Sequence, residues 1–446
     1  MVQKNQSFFD KNAVMIKVVV VAFLALALLI PTSMISSLVM ERQGRLREAT
    51  FEIGSKWGLE QKITGPILTV PYYAYYREKE DKQVSRTKHF AHFLPEDIKV
   101  NGVLNPEVRY RGIFQVAVYN ADLNFSGFFK NLVFFTEGKN IEIDWAGAFI
   151  TMGISDLRGI SESVTFSLNG TESGCEPGSR IRSLVESGIT VAVPLNEELE
   201  AKDINFSFSI SLNGSQGISF IPVGKETSVS ITSSWDSPSF VGAFLPVTRE
   251  VTSEGFEARW RVLELNRNFP QQWTDDNVRI DNSAFGVSLM LPMDKYQITE
   301  RSMKYAVLFI ALTFMVFFFV EILQKLRVHP IQYALVGFGL VLFYLLLLSL
   351  SEHLNFSMAY ILASLGIVAM ITIYSASIFI NLKLTVILSV LMIALYGFLY
   401  ILLQLQDYAL LMGSIGLFII LSGVMYLTRK VDWYSVGVEQ SDEITD

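Results

Sequence analysis

The sequence predicts a polytopic α-helical membrane protein with six transmembrane helices and a large, mainly β periplasmic domain inserted between helices 1 and 2. Residues 303–427 are almost free of charge and contain five apolar runs of about 20 residues, the length that a helix needs to cross a hydrocarbon core of about 30 Å. A sixth apolar run covers 13–40, and strand patterning fills most of 41–300. The apolar runs show no amphipathic stripe, which favours a membrane bundle over a soluble one.

The first apolar run follows a short polar segment, residues 1–12, and we expect it to form transmembrane helix 1 over 13–40. Lys4, Lys11 and Lys17 precede its apolar centre, a pattern that also fits a secretory signal. The apolar character continues past Pro31, however, and no Ala-x-Ala-like cleavage site follows. We therefore expect an uncleaved anchor.

The segment 41–300 begins as a helix and continues as strands. Leu46, Ala49, Ile53 and Trp57 recur at steps of three and four residues, which predicts that the first helix extends beyond the membrane. Runs of alternating β-branched or aromatic residues then predict strands, at 67–70, 107–119, 204–210 and 227–233. Three Asn-Gly dipeptides predict hairpins, at 101–102, 169–170 and 213–214. A mainly β domain of two packed sheets or a sandwich follows from this pattern.

The charges of the short loops predict the orientation of the five-helix block. The block, 303–427, divides into spans at 304–323, 331–351, 356–380, 384–403 and 408–427. Lys and Arg occur only in alternate connections, at 324–330, 381–383 and 428–446, whereas Glu352 and Asp407 mark the others. Basic short loops stay in the cytoplasm. We therefore expect cytoplasmic segments at 1–12 and 428–446 and a periplasmic domain at 41–300, although the flanks of helix 1 are ambiguous on their own.

Composition and motifs argue against several function classes. The single cysteine, Cys175, excludes an intrachain disulfide and a multi-cysteine zinc site. His89 and His92 are three apart in a predicted strand, so their side chains should lie on opposite faces and make a poor metal site. The net charge is −7, and without a long basic block we expect no nucleic-acid partner. We find no nucleophile elbow and expect no catalytic residue, metal ligand or cofactor, and hence no enzyme.

Glu321 is the one ionisable residue that merits attention within the spans. Such residues often mark ion paths or substrate sites because burying them in lipid is costly. Glu321 lies two residues from the end of its span and four before Lys325. We expect an interfacial ion pair with Lys325, with a functional role in transport as the alternative.

Several strings carry a resemblance to a known family. They are Gly65-Pro66-Ile67-Leu68-Thr69-Val70-Pro71-Tyr72, Leu94-Pro95-Glu96, Ser237-Pro238-Ser239-Phe240-Val241-Gly242, and Asp294-Lys295-Tyr296-Gln297 leading into Arg301-Ser302-Met303-Lys304-Tyr305. Together they resemble the CreD family of bacterial inner-membrane proteins, named for cell-envelope integrity, over almost the whole chain. The resemblance implies an inner membrane, a large periplasmic domain and control of the gene by a two-component system. It implies no reaction and no catalytic residues.

These observations leave two functions open. The first is an inner-membrane protein that supports envelope integrity and the stress response by binding through its periplasmic domain, without catalysis. The alternative is a transporter or lipid-handling protein of the envelope. We expect membrane lipids and an unidentified envelope or periplasmic protein as partners.

Overall fold

A computed structural model describes residues 13–77, 84–130, 132, 141–193, 195, 203–274, 278–289, 295–323, 328–379, 381–405 and 408–429. The predicted termini, 1–12 and 430–446, lie outside this range, as do residues 324–327 and 406–407 of two predicted loops. The chain divides into two compact units. One contains Met1–Arg45 and Met293–Asp446, and the other contains Leu46–Pro292.

The unit Leu46–Pro292 is mainly β. Its strands, in chain order, are β1 (Gln61–Arg77), β2 (Val84–Phe93), β3 (Asp97–Arg111), β4 (Phe114–Phe129), β5 (Ile141–Ile143), β6 (Phe149–Ile154), β7 (Thr165–Leu168), β8 (Thr171–Gly174), β9 (Glu176–Pro177), β10 (Gly188–Ala192), β11 (Ile204–Ser215), β12 (Gly217–Ile221), β13 (Glu226–Ser233), β14 (Pro238–Gly242), β15 (Thr248–Thr252), β16 (Gly255–Leu263), β17 (Gln272–Trp273) and β18 (Phe285–Leu289). The sequence prediction of a large, mainly β domain is therefore confirmed.

The strands form two sheets. In the larger sheet the order is β14-β18-β12-β1-β6-β10-β9, with β2 and β5 also paired to β1 and β17 paired to β2. The second sheet has eight strands in the order β15-β16-β13-β3-β4-β11-β7-β8. Among the described strands, each sheet contains one parallel pair, β1 with β12 and β3 with β13, and the other neighbours are antiparallel.

A shared hydrophobic core follows from the period-two patterning. Along β3 and β11 buried residues alternate with exposed or half-buried ones, so one face of the eight-stranded sheet is apolar and the other polar. One cluster of buried side chains contains Ile67 of the larger sheet and Val229 of the smaller one. Rings of Phe125, Phe166 and Phe208 stack within it at centroid distances of 4.6 and 5.0 Å.

Only one of the three predicted Asn-Gly hairpins forms at its dipeptide. Asn169 and Gly170 connect β7 to β8 with φ of 47° and 84°, the left-handed conformation that such a turn requires. The predictions at 101–102 and 213–214 are wrong, because these residues lie inside the long strands β3 and β11. The turn between β3 and β4 is instead at Gly112, whose φ is 60°.

The first helix is long and includes the predicted extension. It comprises α1 (Ala13–Ala27) and α2 (Leu29–Trp57), which together form one helix that is apolar in its N-terminal part and polar in its C-terminal part. The local break at Leu28 has a simple cause: Pro31 has no N–H to donate to the carbonyl group of Ala27. The helical hydrogen-bond pattern continues after Pro31, where the Thr32 amide donates to the Leu28 carbonyl at 3.3 Å.

The remaining helices follow the β unit. They are α3 (Lys295–Lys304), α4 (Ala306–Leu323), α5 (Pro330–His353), α6 (Phe356–Phe379), α7 (Leu382–Gln404) and α8 (Ala409–Thr428). Within the described residues, four helices are long and apolar enough to cross a membrane: the first helix, α5, α6 and α7. The bent pair α3–α4 makes a fifth if counted as one span. Helix α8 occupies the sixth predicted span, but its apolar part, Leu411–Tyr426, is shorter.

The start of the second predicted span differs from the sequence prediction. Residues 295–300, expected in the β domain 41–300, are helical and fall in the unit that contains the other apolar helices. Helices α3 and α4 meet at a bend of 44°. The hydroxyls of Thr299 and Ser302 donate to the backbone carbonyls of Lys295 and Thr299, at 2.8 and 2.7 Å, and this type of back-bonding bends helices.

Candidate functional site

Glu321 is buried at the end of α4 and surrounded by hydrogen-bond donors. Its side chain is 3% exposed. One carboxylate oxygen accepts from the ammonium group of Lys17 and from the amide of Val328, the latter at 2.9 Å, and the other accepts from the Tyr333 hydroxyl at 2.9 Å. Three elements of the chain, α1, the segment before α5 and α5 itself, therefore meet at one carboxylate.

The cation beside Glu321 comes from a distant part of the chain. Lys325, the partner that the sequence suggested, lies outside the described residues, and the contact that the structure shows is with Lys17 of the first helix. The Lys17 side chain is 42% exposed, so the cation is partly hydrated while the carboxylate that it contacts is buried. The ring of Tyr333 packs against Phe314 and Phe317 of α4, which fixes the hydroxyl in place.

A second charged contact lies at the opposite end of α5. Arg42 of the first helix is 3.4 Å from the Glu352 carboxylate, and the Tyr296 hydroxyl of α3 is 3.5 Å from it. Lys17 and Arg42 are 25 residues apart on the continuous helix, which corresponds to about 37 Å at 1.5 Å per residue. The first helix is thus tied to α4 and α5 near both ends of its apolar segment, most of which is exposed.

Helices α6 and α7 share a row of polar contacts, which we call the α6–α7 polar row. The hydroxyls of Thr372 and Ser389 are 2.8 Å apart. The Tyr360 hydroxyl donates to the Tyr396 carbonyl at 2.7 Å, and the Tyr400 hydroxyl donates to Ser357 at 3.0 Å. Hydrogen bonds of this kind hold transmembrane helices together where the hydrophobic effect cannot.

One buried hydroxyl near the α6–α7 polar row has no partner among the described residues. Tyr344 of α5 is 1% exposed, and its hydroxyl makes no hydrogen bond there. Its ring packs edge-on against Phe343, which in turn contacts Tyr360 and Tyr396. Nothing in the sequence distinguished Tyr344, because several other tyrosines occur in the apolar runs.

The histidines of β2 lie in packed surroundings. His92 is buried, its Nδ1 is 3.0 Å from the Thr69 hydroxyl, and its ring is tilted against Trp273. His89 stacks on Tyr72 at a centroid distance of 5.4 Å. Among the described residues, no group of three or more His, Cys, Asp or Glu side chains is arranged to hold a metal ion. The absence of a metal site or cofactor remains an expectation.

Asp156 is a buried carboxylate that the sequence did not single out. It is 7% exposed and accepts from the Arg158 guanidinium at 2.9 and 3.0 Å, from the Leu59 amide at 3.0 Å and from the Arg158 amide at 3.2 Å. Desolvation raises its pKa, but these four hydrogen bonds outweigh burial and lower the pKa below the ordinary value of 3.8. The group fixes the chain where the first helix passes into β1.

The polar face of the eight-stranded sheet contains an open groove of about 590 Å³. Its floor consists of Asn and Ser side chains of β3, β4 and β11, among them Asn101, Asn124 and Ser209. Three carboxylates also line the groove: Asp122, Glu162 and Glu172. The sequence predicted the alternation that makes this face polar, but not the strand order that brings these residues together.

Comparison with known proteins identifies the family. A family model described as "Inner membrane protein CreD" matches residues 13–434. The chain is 36% identical over 428 residues to the inner membrane protein CreD of Escherichia coli strain K12, with 94% of each chain covered. The match thus extends over both the apolar helices and the β unit, as the resemblance in the sequence implied. The chain belongs to the CreD family of inner membrane proteins.

Proposed function

We propose that this protein supports envelope integrity and the stress response from the bacterial inner membrane by binding, without catalysis, through a β domain on the periplasmic side. The arrangement around Glu321 carries this proposal. A carboxylate that serves a carrier must change partners during transport, whereas Glu321 is engaged by Lys17, Tyr333 and the Val328 amide at the same time. These contacts favour a role for Glu321 in holding the first helix to the bundle.

The proposal includes cytoplasmic termini and a periplasmic β domain. The distribution of Lys and Arg between the short connections supports it. The first helix also forms two ion pairs far apart along its length, Lys17 with Glu321 of α4 and Arg42 with Glu352 of α5, as a spanning helix would. Reporter fusions after Arg327 and after Lys430 should both report a cytoplasmic location. A periplasmic signal at either position would contradict the six-span topology.

Substitution of Glu321 tests the binding proposal against transport. In a strain that lacks the gene, the Glu321→Gln variant should restore resistance to an envelope stress such as detergent as well as the wild-type protein does. The amide oxygen can still accept from the Val328 amide, and the NH2 group can donate to the Tyr333 hydroxyl, so the ion pair is the main loss. Glu300→Gln, at a half-exposed position of α3, is a matched control. If Glu321→Gln alone abolishes resistance while the protein still accumulates in the membrane, transport becomes the better explanation.

A transporter or lipid-handling protein is the second candidate, and the Tyr344 hydroxyl, which has no hydrogen-bond partner in the described part of the chain, favours it. Buried hydroxyls without a partner are costly in an apolar bundle, and substrate pathways supply transient partners for such groups. Under this alternative, Tyr344→Phe should lower function without lowering the amount of protein. Under the binding proposal, the same variant should retain full function, because removal of an unsatisfied hydroxyl leaves packing intact.

A further inference from the structure

The groove on the polar face of the eight-stranded sheet has a chemical character that distinguishes it from the rest of the β unit. Its lining contains hydroxyl and amide groups, which both donate and accept hydrogen bonds, together with three carboxylates and no Lys or Arg. Some of these groups bond to each other: Ser209 donates to Asn124 at 2.6 Å. The exposed side chains of the floor are short, so the surface is open to a ligand.

Among the described residues, the carboxylates of the groove lack the cations that many other carboxylates of this unit have. In the stretches that the structure describes, salt bridges join eleven side-chain pairs within the β unit, for example Glu96 with Lys225 at 3.0 Å and Glu226 with Arg261 at 2.6 Å. Within the described part of the chain, Asp122, Glu162 and Glu172 form none. Asp122 has only the Asn105 amide nearby, at 3.4 Å. The groove therefore concentrates uncompensated negative charge.

The strand register gives the separation of these charges. Asp122 of β4 lies opposite Ser211 of β11, whereas Glu172 of β8 lies opposite Ser167, which pairs with Ser207 of β11. Four residues along β11 correspond to about 14 Å, and three strand spacings across the sheet to about 14 Å, so the two carboxylates are roughly 20 Å apart on one face. An extended peptide covers that distance in about six residues.

We propose that this groove binds a basic, extended segment of a partner protein, whose Lys or Arg side chains pair with Asp122 and Glu162 toward one end of the groove and with Glu172 toward the other. The peptide backbone between the basic residues would bond to the Ser and Asn side chains of the floor. This inference rests on the proposed binding function and specifies the chemistry of the partner. Unpaired carboxylates, a floor of small hydrogen-bonding groups and a spacing matched to an extended chain together favour this occupant.

The test uses the purified full-length protein in detergent and a fluorescent Ser/Gly peptide with lysines six residues apart. Neutralising the groove with Asp122→Asn, Glu162→Gln and Glu172→Gln together should weaken binding about tenfold at low ionic strength, and added salt should weaken wild-type binding. The control changes Glu186, Glu250 and Glu254 to Gln. These three are also exposed and without a salt bridge among the described residues, so the net charge changes equally.

The outcomes separate this inference from the proposed function. Loss of binding in the groove variant but not in the control supports the site. Equal weakening in both variants, no effect in either, or displacement of the peptide by a neutral oligosaccharide would overturn it. The complementation assay with Glu321→Gln is independent of the groove. If it supports a binding function while the peptide fails to distinguish the two triple variants, the partner surface lies elsewhere and only the groove assignment is wrong.

Discussion

At the residue scale, Glu321 shows how a carboxylate can be accommodated in an apolar helix. Burial of an ionised group is tolerated when it is paired and hydrogen-bonded. Lys17, Tyr333 and the Val328 amide meet that condition. The sequence singled out Glu321 as unusual and suggested Lys325, four positions away, as its partner. Lys325 lies outside the described residues. The contact with Lys17 spans 304 positions, and only the packing of the first helix creates it.

The two members of this ion pair should differ in their effect on stability. Lys17→Met leaves a buried carboxylate without its cation, and we expect a loss of about 2 kcal/mol, less than for a fully buried pair because Lys17 is partly exposed. Glu321→Gln leaves only a partly exposed ammonium group and should cost about 1 kcal/mol. The double variant should lose less unfolding free energy than the two single variants lose when their losses are added. Thermal unfolding of the purified protein in detergent measures all three. Equal, additive losses would show that Lys17 and Glu321 do not interact.

Asp156 provides a pH-dependent test in the β unit. Because hydrogen bonds lower its pKa below 3.8, the native state binds this proton less readily than the unfolded state does. The contribution of ionised Asp156 to the free energy of unfolding is therefore complete above about pH 4. It is lost as the pH falls through the lowered pKa. We expect Asp156→Asn to cost about 2 kcal/mol at pH 7 and much less near pH 2.

The measurement compares thermal unfolding of the wild type and Asp156→Asn at the two pH values. Other acidic groups contribute to acid sensitivity, so the quantity of interest is the difference between the two proteins at each pH. Glu254→Gln, at an exposed turn position, should show no such difference. If Asp156→Asn is less stable than the wild type by the same amount at pH 7 and at pH 2, the ionised form of Asp156 is not the cause of the difference.

At the element scale, periodicity was a better guide than turn dipeptides. The predicted strands at 67–70, 204–210 and 227–233 lie within observed strands, β1, β11 and β13. The single strand predicted over 107–119 is wrong, because the turn at Gly112 divides it between β3 and β4. Alternation succeeds because it reflects burial on one face of a sheet. The Asn-Gly dipeptides at 101–102 and 213–214 failed because long-range pairing overrides local turn preference. Gly102 lies between β4 and β13, with Leu123 and Ile231 where a side chain would stand.

The helical elements show a similar division between local and distant causes. The stripe of Leu46, Ala49, Ile53 and Trp57 correctly predicted that the first helix continues to residue 57. The bend between α3 and α4 was not predicted, because an apolar composition at 304–323 says nothing of backbone direction. Hydroxyl groups at Thr299 and Ser302, which the sequence does contain, are a usable signal for such a bend.

At the scale of the whole molecule, the sequence predicted two dissimilar parts because one composition suits the hydrocarbon core of a membrane and the other suits water. Apolar helices satisfy their backbone hydrogen bonds internally where water is absent. Strands of alternating pattern pack one face of a sheet against the core and expose the other face to water. The boundary was less accurate: we expected the β domain at 41–300, whereas the compact unit is Leu46–Pro292. Residues 46–57 belong to this unit through contacts that composition cannot reveal. Trp57 donates to the Tyr119 carbonyl at 3.1 Å and lies under the Arg109 guanidinium at 3.6 Å.

These contacts predict which fragment of the protein folds alone. Residues 46–292 should form a soluble, mainly β domain that needs no metal ion or disulfide, because the shared core and the Trp57 contacts all lie within them. The fragment 58–298 lacks Trp57 and Glu52, which pairs with Arg111 at 3.0 Å, and should unfold at a lower temperature by several degrees. Circular dichroism with and without a chelator measures both properties. Equal stability of the two fragments would show that the helix adds nothing to the β domain, and unfolding by the chelator would reveal a metal site.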